Sequence, residues 1–105
     1  MVKRGEIWLV NLDPTVGSEI KKTRPCMVIS PGEMHDYLRT VIVAPMTTGS
    51  KPTSYRIPIT FQGKRGLILL DQIRSLDKMR LVKRLGSAGK PLNGALTAIQ
   101  EIFAI

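Results

Sequence analysis

Cysteine and histidine are almost missing from this sequence: Cys26 and His35 are its only examples in 105 residues. A single thiol cannot close an internal disulfide, and one Cys with one His cannot build a zinc cluster. Acids are scarce too, with eight Asp and Glu against sixteen Lys and Arg. No apolar run approaches the roughly 20 residues that a membrane helix needs. The opening MVKRGEIWLV lacks a signal-peptide apolar core. Internal repeats and low-complexity tracts are also absent. These gaps exclude a disulfide scaffold and a membrane helix, and they lead us to expect a cytoplasmic protein in a reducing compartment.

What remains is a basic, core-forming chain. Hydrophobic residues make up 43% of it, and the net charge is +8 with a pI near 10.2. The length suits a single domain, residues 1–105, small enough that oligomerisation would help bury its surface. A folded domain this basic usually meets a polyanion, and nucleic acid is the first candidate. The plainer reading is a charge tuned only for solubility.

The first two thirds of the chain reads as short strands. Glu6 to Leu12 places Ile7 and Leu9 on one side and Trp8, Val10 and Leu12 on the other. Apolar on both faces, it predicts a central strand ended by Asp13-Pro14. A polar loop follows, Thr15 to Thr23. Pro25 to Ser30 reads as a second strand, Pro31-Gly32 as a turn, and the β-branched Thr40 to Met46 as a third strand. Thr47 to Ser54 is a second polar loop. Tyr55 to Ile59 alternates, with Pro58 marking an edge. Gly63 to Gly66 reads as a hairpin turn, Leu67 to Ile73 as an apolar strand and Leu81 to Leu85 as a last short one. Leu92, Ala95, Leu96, Ile99, Ile102 and Phe103 then recur at helical spacing, with Pro91 in the first turn. Strands followed by one amphipathic helix predict a mainly β fold, a small curved sheet or barrel with a C-terminal helix packed on it.

Several catalytic designs are excluded. The scattered acids do not suggest a metal nuclease, a two-histidine ribonuclease lacks its second histidine, and no phosphate-cradling Gly-rich loop with Lys-Ser or Lys-Thr is present. A Ser-His-Asp arrangement is not excluded by count, but His35 reads as a loop residue with no nucleophile motif beside it. Any catalysis must therefore run on carboxylates, cations and hydroxyls. RNA allows that, because it carries its own nucleophile, the 2′-OH. The enzyme need supply only a base, an acid for the leaving 5′-oxygen, and donors for the charge on phosphorus oxygens. The loop GSEIKKTRP, residues 17–25, holds such a set in Glu19, Lys21, Lys22 and Arg24. Pro25 biases Arg24 toward extended backbone, at a strand's rigid edge. Taken by itself, a charged loop is by default only solvated surface.

The segments RGEIWLVNLDPTVGSE and KTRPCMVISP, followed in order by VIVAPMTT and LILLDQIRSLDK, resemble the MazF/PemK ribonuclease family of bacterial toxins along nearly the whole chain. The resemblance implies an SH3-like barrel of the CcdB/PemK type and a homodimer. It further implies metal-independent cleavage of single-stranded mRNA at short sequences, and neutralisation by an acidic-tailed, MazE-like antitoxin. By position, Glu19 matches the family's general base. Arg24 matches the arginine that stabilises the phosphorane and is a candidate acid. Thr47 matches the threonine that holds the scissile phosphate. Ser18, Lys22, Thr48, Lys51 and Gln72 are expected to contact RNA, and no metal or cofactor is expected. Relatives often carry Gln where this chain has Ile20, which removes a polar contact to RNA there.

Other residues have plainer expectations. Trp8, mid-strand, reads as core. Tyr55 and Phe61 either stack on bases or pack at edges. Asp71 and Gln72, at a strand end, either read a base edge or cap a turn. Lys51, Lys64 and Arg65 suit a basic rim. Lys78, Arg80, Lys83 and Arg84 form a phosphate track or a solvated face, with the second favoured. Two other functions remain open on sequence: a non-catalytic RNA-binding barrel, and a gyrase-binding toxin of the CcdB kind, since fold alone does not fix activity.

Overall fold

The computed structural model describes residues 1–49 and 51–105; Ser50, within the second expected loop, lies outside the described residues. Seven strands run β1 Glu6–Asn11, β2 Thr23–Val28, β3 Thr40–Thr47, β4 Arg56–Phe61, β5 Lys64–Leu69, β6 Arg74–Asp77 and β7 Leu81–Ser87. Two helices join them, α1 Gly32–Tyr37 and α2 Pro91–Ile102. The sheet order is β4-β5-β3-β2-β1-β7, with β6 also paired to β3, and every pairing is antiparallel.

β1 is interior to this order, as its two apolar faces require. Ile7 joins a core beneath α2 with Met27, Ala44, Met46, Ile68, Ala95 and Ala98. Val10 and Leu12 join a second core with Cys26, Val28, Val41, Val43 and Leu76. The sheet therefore curls around one cluster while α2 covers the other. Trp8 is half-buried and packs on the second cluster. The end strands β4 and β7 share no ladder; they approach where the Phe61 ring lies over Gly86.

β3 organises the sheet. Along one side it pairs with β2. Along the other it pairs first with β6, through Thr40 to Val43, and then with β5, through Met46 and Thr47. Between those ladders lie Ala44 and Pro45. Proline has no N–H to give a ladder, so a break there costs little. Across the break the chain leaves β5, makes a 3-10 turn at Leu70–Gln72, and re-enters as β6.

Several boundaries differ from expectation. The expected strand Leu67 to Ile73 is β5 plus the 3-10 turn, because the run Leu67–Leu70 is buried in either conformation. The hairpin turn sits at Gln62-Gly63 rather than Gly63 to Gly66. Both turn residues have positive φ, 52° and 76°, as a two-residue type I′ turn demands. Pro31-Gly32 opens a helix instead of a turn, with Pro31 as its N-cap residue. His35 is accordingly helical and buried, not a loop residue. Its Nδ1 meets the Val2 carbonyl at 3.0 Å, and Ser30 Oγ, 2.5 Å from Nε2, also accepts from Ile42 N–H. This pair is an internal clasp between β3, α1 and the N-terminus, closed to any substrate. Pro58 lies on β4, an edge strand, as expected.

Candidate active site

A groove of about 320 Å³ opens where the start of β2, the end of β3 and the β4–β5 hairpin converge. β2 contributes Arg24 and Pro25, and the end of β3 contributes Met46, Thr47 and Thr48. The hairpin adds Ile59, Phe61, Gln62, Lys64 and Gly66. Met46 and Ile59 make a buried apolar floor. Arg24 and Lys64 supply cationic walls, and no carboxylate stands among the described lining residues.

Local structure explains the placement. Pro25 keeps Arg24 extended, opposite Val10 of β1. The Arg24 side chain is held only loosely, Nε donating to the Lys21 carbonyl at 3.3 Å. Thr47 is the last residue of β3 and pairs with Leu67. A Cβ on Gly66 would stand 2.5 Å from the Thr47 carbonyl oxygen, so the absence of a side chain there lets β5 close on Thr47. The groove thus offers a guanidinium, an ammonium, hydroxyls and an aromatic edge, a set suited to a phosphodiester and its attached base.

A second recess of about 170 Å³ occupies the break in the β3 ladder, lined by Glu19, Pro45, Asp71, Gln72, Ile73 and Arg74. Glu19 and Arg24 therefore line two recesses that adjoin along β3, at Pro45 and at Met46, rather than one. The ion pairs among the described residues, Arg56–Asp71 and Arg84–Glu6, include neither of them. The Glu19 carboxylate instead turns back on its own loop and accepts from Val16 N–H at 2.5 Å.

The remaining expected contact residues scatter around this pair of recesses. Ser18 is exposed in the β1–β2 loop. Lys22, at φ 68°, closes the neck of that loop, its N–H donating to Asp13 Oδ1 and its carbonyl accepting from Leu12 N–H. Thr48 edges the groove, while Lys51 is exposed and lines neither recess. Gln72 lies on the 3-10 turn with its Oε1 taken by Ile20 N–H at 2.8 Å.

The basic run at the end of the sheet is largely committed inward. Lys78 Nζ donates to the His35 carbonyl, Arg80 Nη1 to the Asn11 and Asp13 carbonyls, and Arg84 to the Glu6 carboxylate. Lys83 makes none of these contacts and, like the half-exposed Arg84, faces solvent. Sequence reasoning missed the lining roles of Gln62 and Gly66 and the loop-holding roles of Arg74 and Arg80. Gly66 left a signal, a glycine inside an apolar strand, which often marks close backbone approach.

The site's electrostatics follow from its pairs. Hydrogen bonds from Arg56 at 3.0 and 2.8 Å hold the Asp71 carboxyl below its usual range despite partial burial. Burial pushes the Cys26 thiol up to about 12, against a weaker opposing pull from Arg74, so it stays protonated and unreactive. Among the described residues no three His, Cys, Asp or Glu side chains gather as a metal site would require. No helix among them is long and apolar enough to cross a membrane.

Known proteins share this framework. The family model for PemK-like, MazF-like toxins of type II toxin–antitoxin systems matches residues 3–102. The endoribonuclease PemK of Escherichia coli is 38% identical over 90 residues, covering 80% of this chain and 68% of that protein. The endoribonuclease MazF of Staphylococcus epidermidis is 36% identical over 91 residues, covering 81% and 76%. Among solved structures, MazF from Deinococcus radiodurans superposes with a TM-score of 0.86 at 23% identity, covering 99% of this chain and 97% of that one. A mycobacterial endoribonuclease in complex with its cognate antitoxin gives 0.83 at 18% identity, covering 100% and 97%.

Proposed function

Since the chain belongs to the PemK-like, MazF-like toxin family of type II toxin–antitoxin systems, we propose that it is an endoribonuclease toxin that cuts single-stranded RNA at short sequences without a metal. The observation that carries this reading is the meeting of Arg24 and Thr47 in one cationic groove. The names of its relatives, both endoribonucleases, support the reaction class.

The proposed chemistry is an internal transfer. The ribose 2′-oxygen attacks the adjacent phosphorus as Glu19 takes its proton, so a 2′-O–P bond forms. The P–O5′ bond breaks, and the 5′-oxygen receives a proton for which Arg24 is the candidate donor. The products are a 2′,3′-cyclic phosphate and a 5′-OH end. Arg24 holds the charge that builds on the phosphorane oxygens, and Thr47 holds the scissile phosphate through its hydroxyl. For Glu19 to serve, its carboxylate, which accepts from Val16 N–H through Oε1, must bring an oxygen to the 2′-OH when RNA binds. Ser18, Lys22, Thr48 and Lys51 contact the strand around the cut. Gln72 keeps its amide NH2 for a base edge while its carbonyl holds Ile20.

The same reading gives the protein its partners. A homodimer would extend the groove across two copies. An antitoxin with an acidic, flexible segment would compete with RNA for the cationic walls, and this complex would weaken as salt rises. The site of action is the cytoplasm, where mRNA is found.

The decisive experiment incubates the purified protein with mixed-sequence RNA in EDTA. Discrete fragments ending in cyclic phosphate are expected. Intact but retarded RNA would leave only a binding barrel, and no effect on RNA would point to a protein target. Arg24 is exposed and weakly tethered, so Arg24→Ala should leave the fold intact while lowering the cleavage rate by about 100- to 1000-fold or more. Near-normal cutting by that variant would overturn the assignment of the site.

A further inference from the structure

We propose that Gln72 is a positioning residue: its side-chain carbonyl fixes the β1–β2 loop and so sets where Glu19 stands. This rests on the reading of Glu19 as part of the cleavage site. The loop is clamped at its neck. Arg74 Nη1 donates to the Leu12 carbonyl at 3.0 Å, and Arg80 Nη1 to the Asn11 carbonyl at 3.2 Å and the Asp13 carbonyl. Leu12 N–H to the Lys22 carbonyl and Lys22 N–H to Asp13 Oδ1 close the neck across the loop.

Beyond that neck the loop is nearly on its own. Val16 and Glu19 bond to each other, which shapes the loop without placing it. Among the described residues, two hydrogen bonds tie residues 14–21 to the rest of the fold. One is the long bond from Arg24 Nε to the Lys21 carbonyl, 3.3 Å. The other is Ile20 N–H to Gln72 Oε1, 2.8 Å, across 52 positions of sequence. Ile20 follows Glu19 directly, so fixing the peptide between them fixes the backbone from which the carboxylate projects. Packing of the Ile20 side chain on the second core reinforces the same point.

Gln72 is a firm support. It is half-buried on the 3-10 turn, next to Asp71, whose carboxylate is pinned by Arg56. The position needs an acceptor of this length, and a neutral one avoids adding a third carboxylate beside Glu19 and Asp71 in one recess. Catalysis is sensitive to such supports because a reacting group misplaced by about 1 Å can lose about 100-fold in rate.

The test compares the full-length protein with Gln72→Leu, which is apolar and loses the acceptor, and Gln72→Glu, which keeps the acceptor. Amide hydrogen exchange is followed residue by residue alongside cleavage of a long RNA of known sequence. In Gln72→Leu the Ile20 amide should exchange about 10-fold faster or more, while β1 and β2 amides keep their protection. Its kcat should fall about 10- to 100-fold, while any change in KM or cut sites that comes from losing the amide NH2 is shared with Gln72→Glu, which lacks that group too. Gln72→Glu should restore the Ile20 protection and part of kcat. Unchanged Ile20 exchange in Gln72→Leu would overturn the proposal. So would an undiminished kcat in Gln72→Leu, with or without new cut sites, which would leave Gln72 a base reader alone. If the parent protein cuts no RNA, the functional reading fails, while the Ile20 exchange still reports on the tether alone.

Discussion

Gly66 is the position where one added methyl group would reach the groove. Its missing Cβ leaves room for the Thr47 carbonyl, a backbone atom that cannot swing aside as a flexible side chain would. Gly66→Ala should therefore cost about 1–3 kcal/mol of stability through forced backbone movement and also reduce cleavage by displacing Thr47. Thermal unfolding and a rate assay on the same sample check both; unchanged values in each would show that β5 yields freely. Glu6 governs a different property. Burial works against its charge, but the Lys3 N–H and the Arg84 and Trp8 side chains donate to it, and together they hold its carboxyl below the usual range. A group depressed on folding stabilises the protein above its unfolded pKa, about 4.3 for Glu, and loses that contribution as pH falls through the folded value. Asp71 acts in the same direction. Urea midpoints should fall between about pH 5 and about pH 3, and Glu6→Gln should flatten the fall.

At the scale of elements, α2 carries its own weak point. Gly94 lies in its first turns, and a Cβ there would meet only Ile57 Cγ2 at 3.7 Å, an ordinary contact. Gly94→Ala should raise stability by about 1 kcal/mol. In a domain of this size that raises Tm by roughly 4–8 °C; a Tm that stays level or drops would mean that α2 has no room against β4. The helix was legible in the sequence because about three turns of apolar spacing leave a strong periodic mark. β1 and β3 were legible for a related reason, being runs of apolar or β-branched residues bounded by turn signals. β6 left no such mark, since only Leu76 of its four residues is buried. α1 was hidden because six residues are too few to show a period and Pro31-Gly32 reads as punctuation. The positions of Arg24 and Thr47 near strand ends were legible because local residues determine them. The relation of Glu19 to Arg24 was not legible. The loop between them is routed by Gln72, Arg74 and Arg80, side chains more than fifty residues away in sequence.

For the molecule as a whole, the excess of positive charge is partly spent inside the fold, where Arg4, Arg74, Arg80 and Lys78 donate to main-chain carbonyls. The cations that line the groove are a smaller set, Arg24 and Lys64, and the exposed Lys22 and Lys51 are the further two proposed to contact RNA. Binding of an uncleavable single strand should then weaken with salt at a log–log slope of roughly −3, from about 0.7 per phosphate contact. Titrations at several salt concentrations check this, and Arg24→Ala should reduce the slope by about 0.7. A slope near zero would mean that binding is mainly apolar.

The ladder between β1 and β7 joins Glu6 to Ser87 and so pairs the strands that open and close the sheet in sequence order. While the ribosome is still adding residues, β1 has one bare edge, and the Glu6 carboxylate has no Arg84 to meet. Closing so long a loop costs entropy that only the finished sheet repays. A truncation before Leu81 should therefore yield an unfolded polypeptide instead of a weakened form of the folded domain.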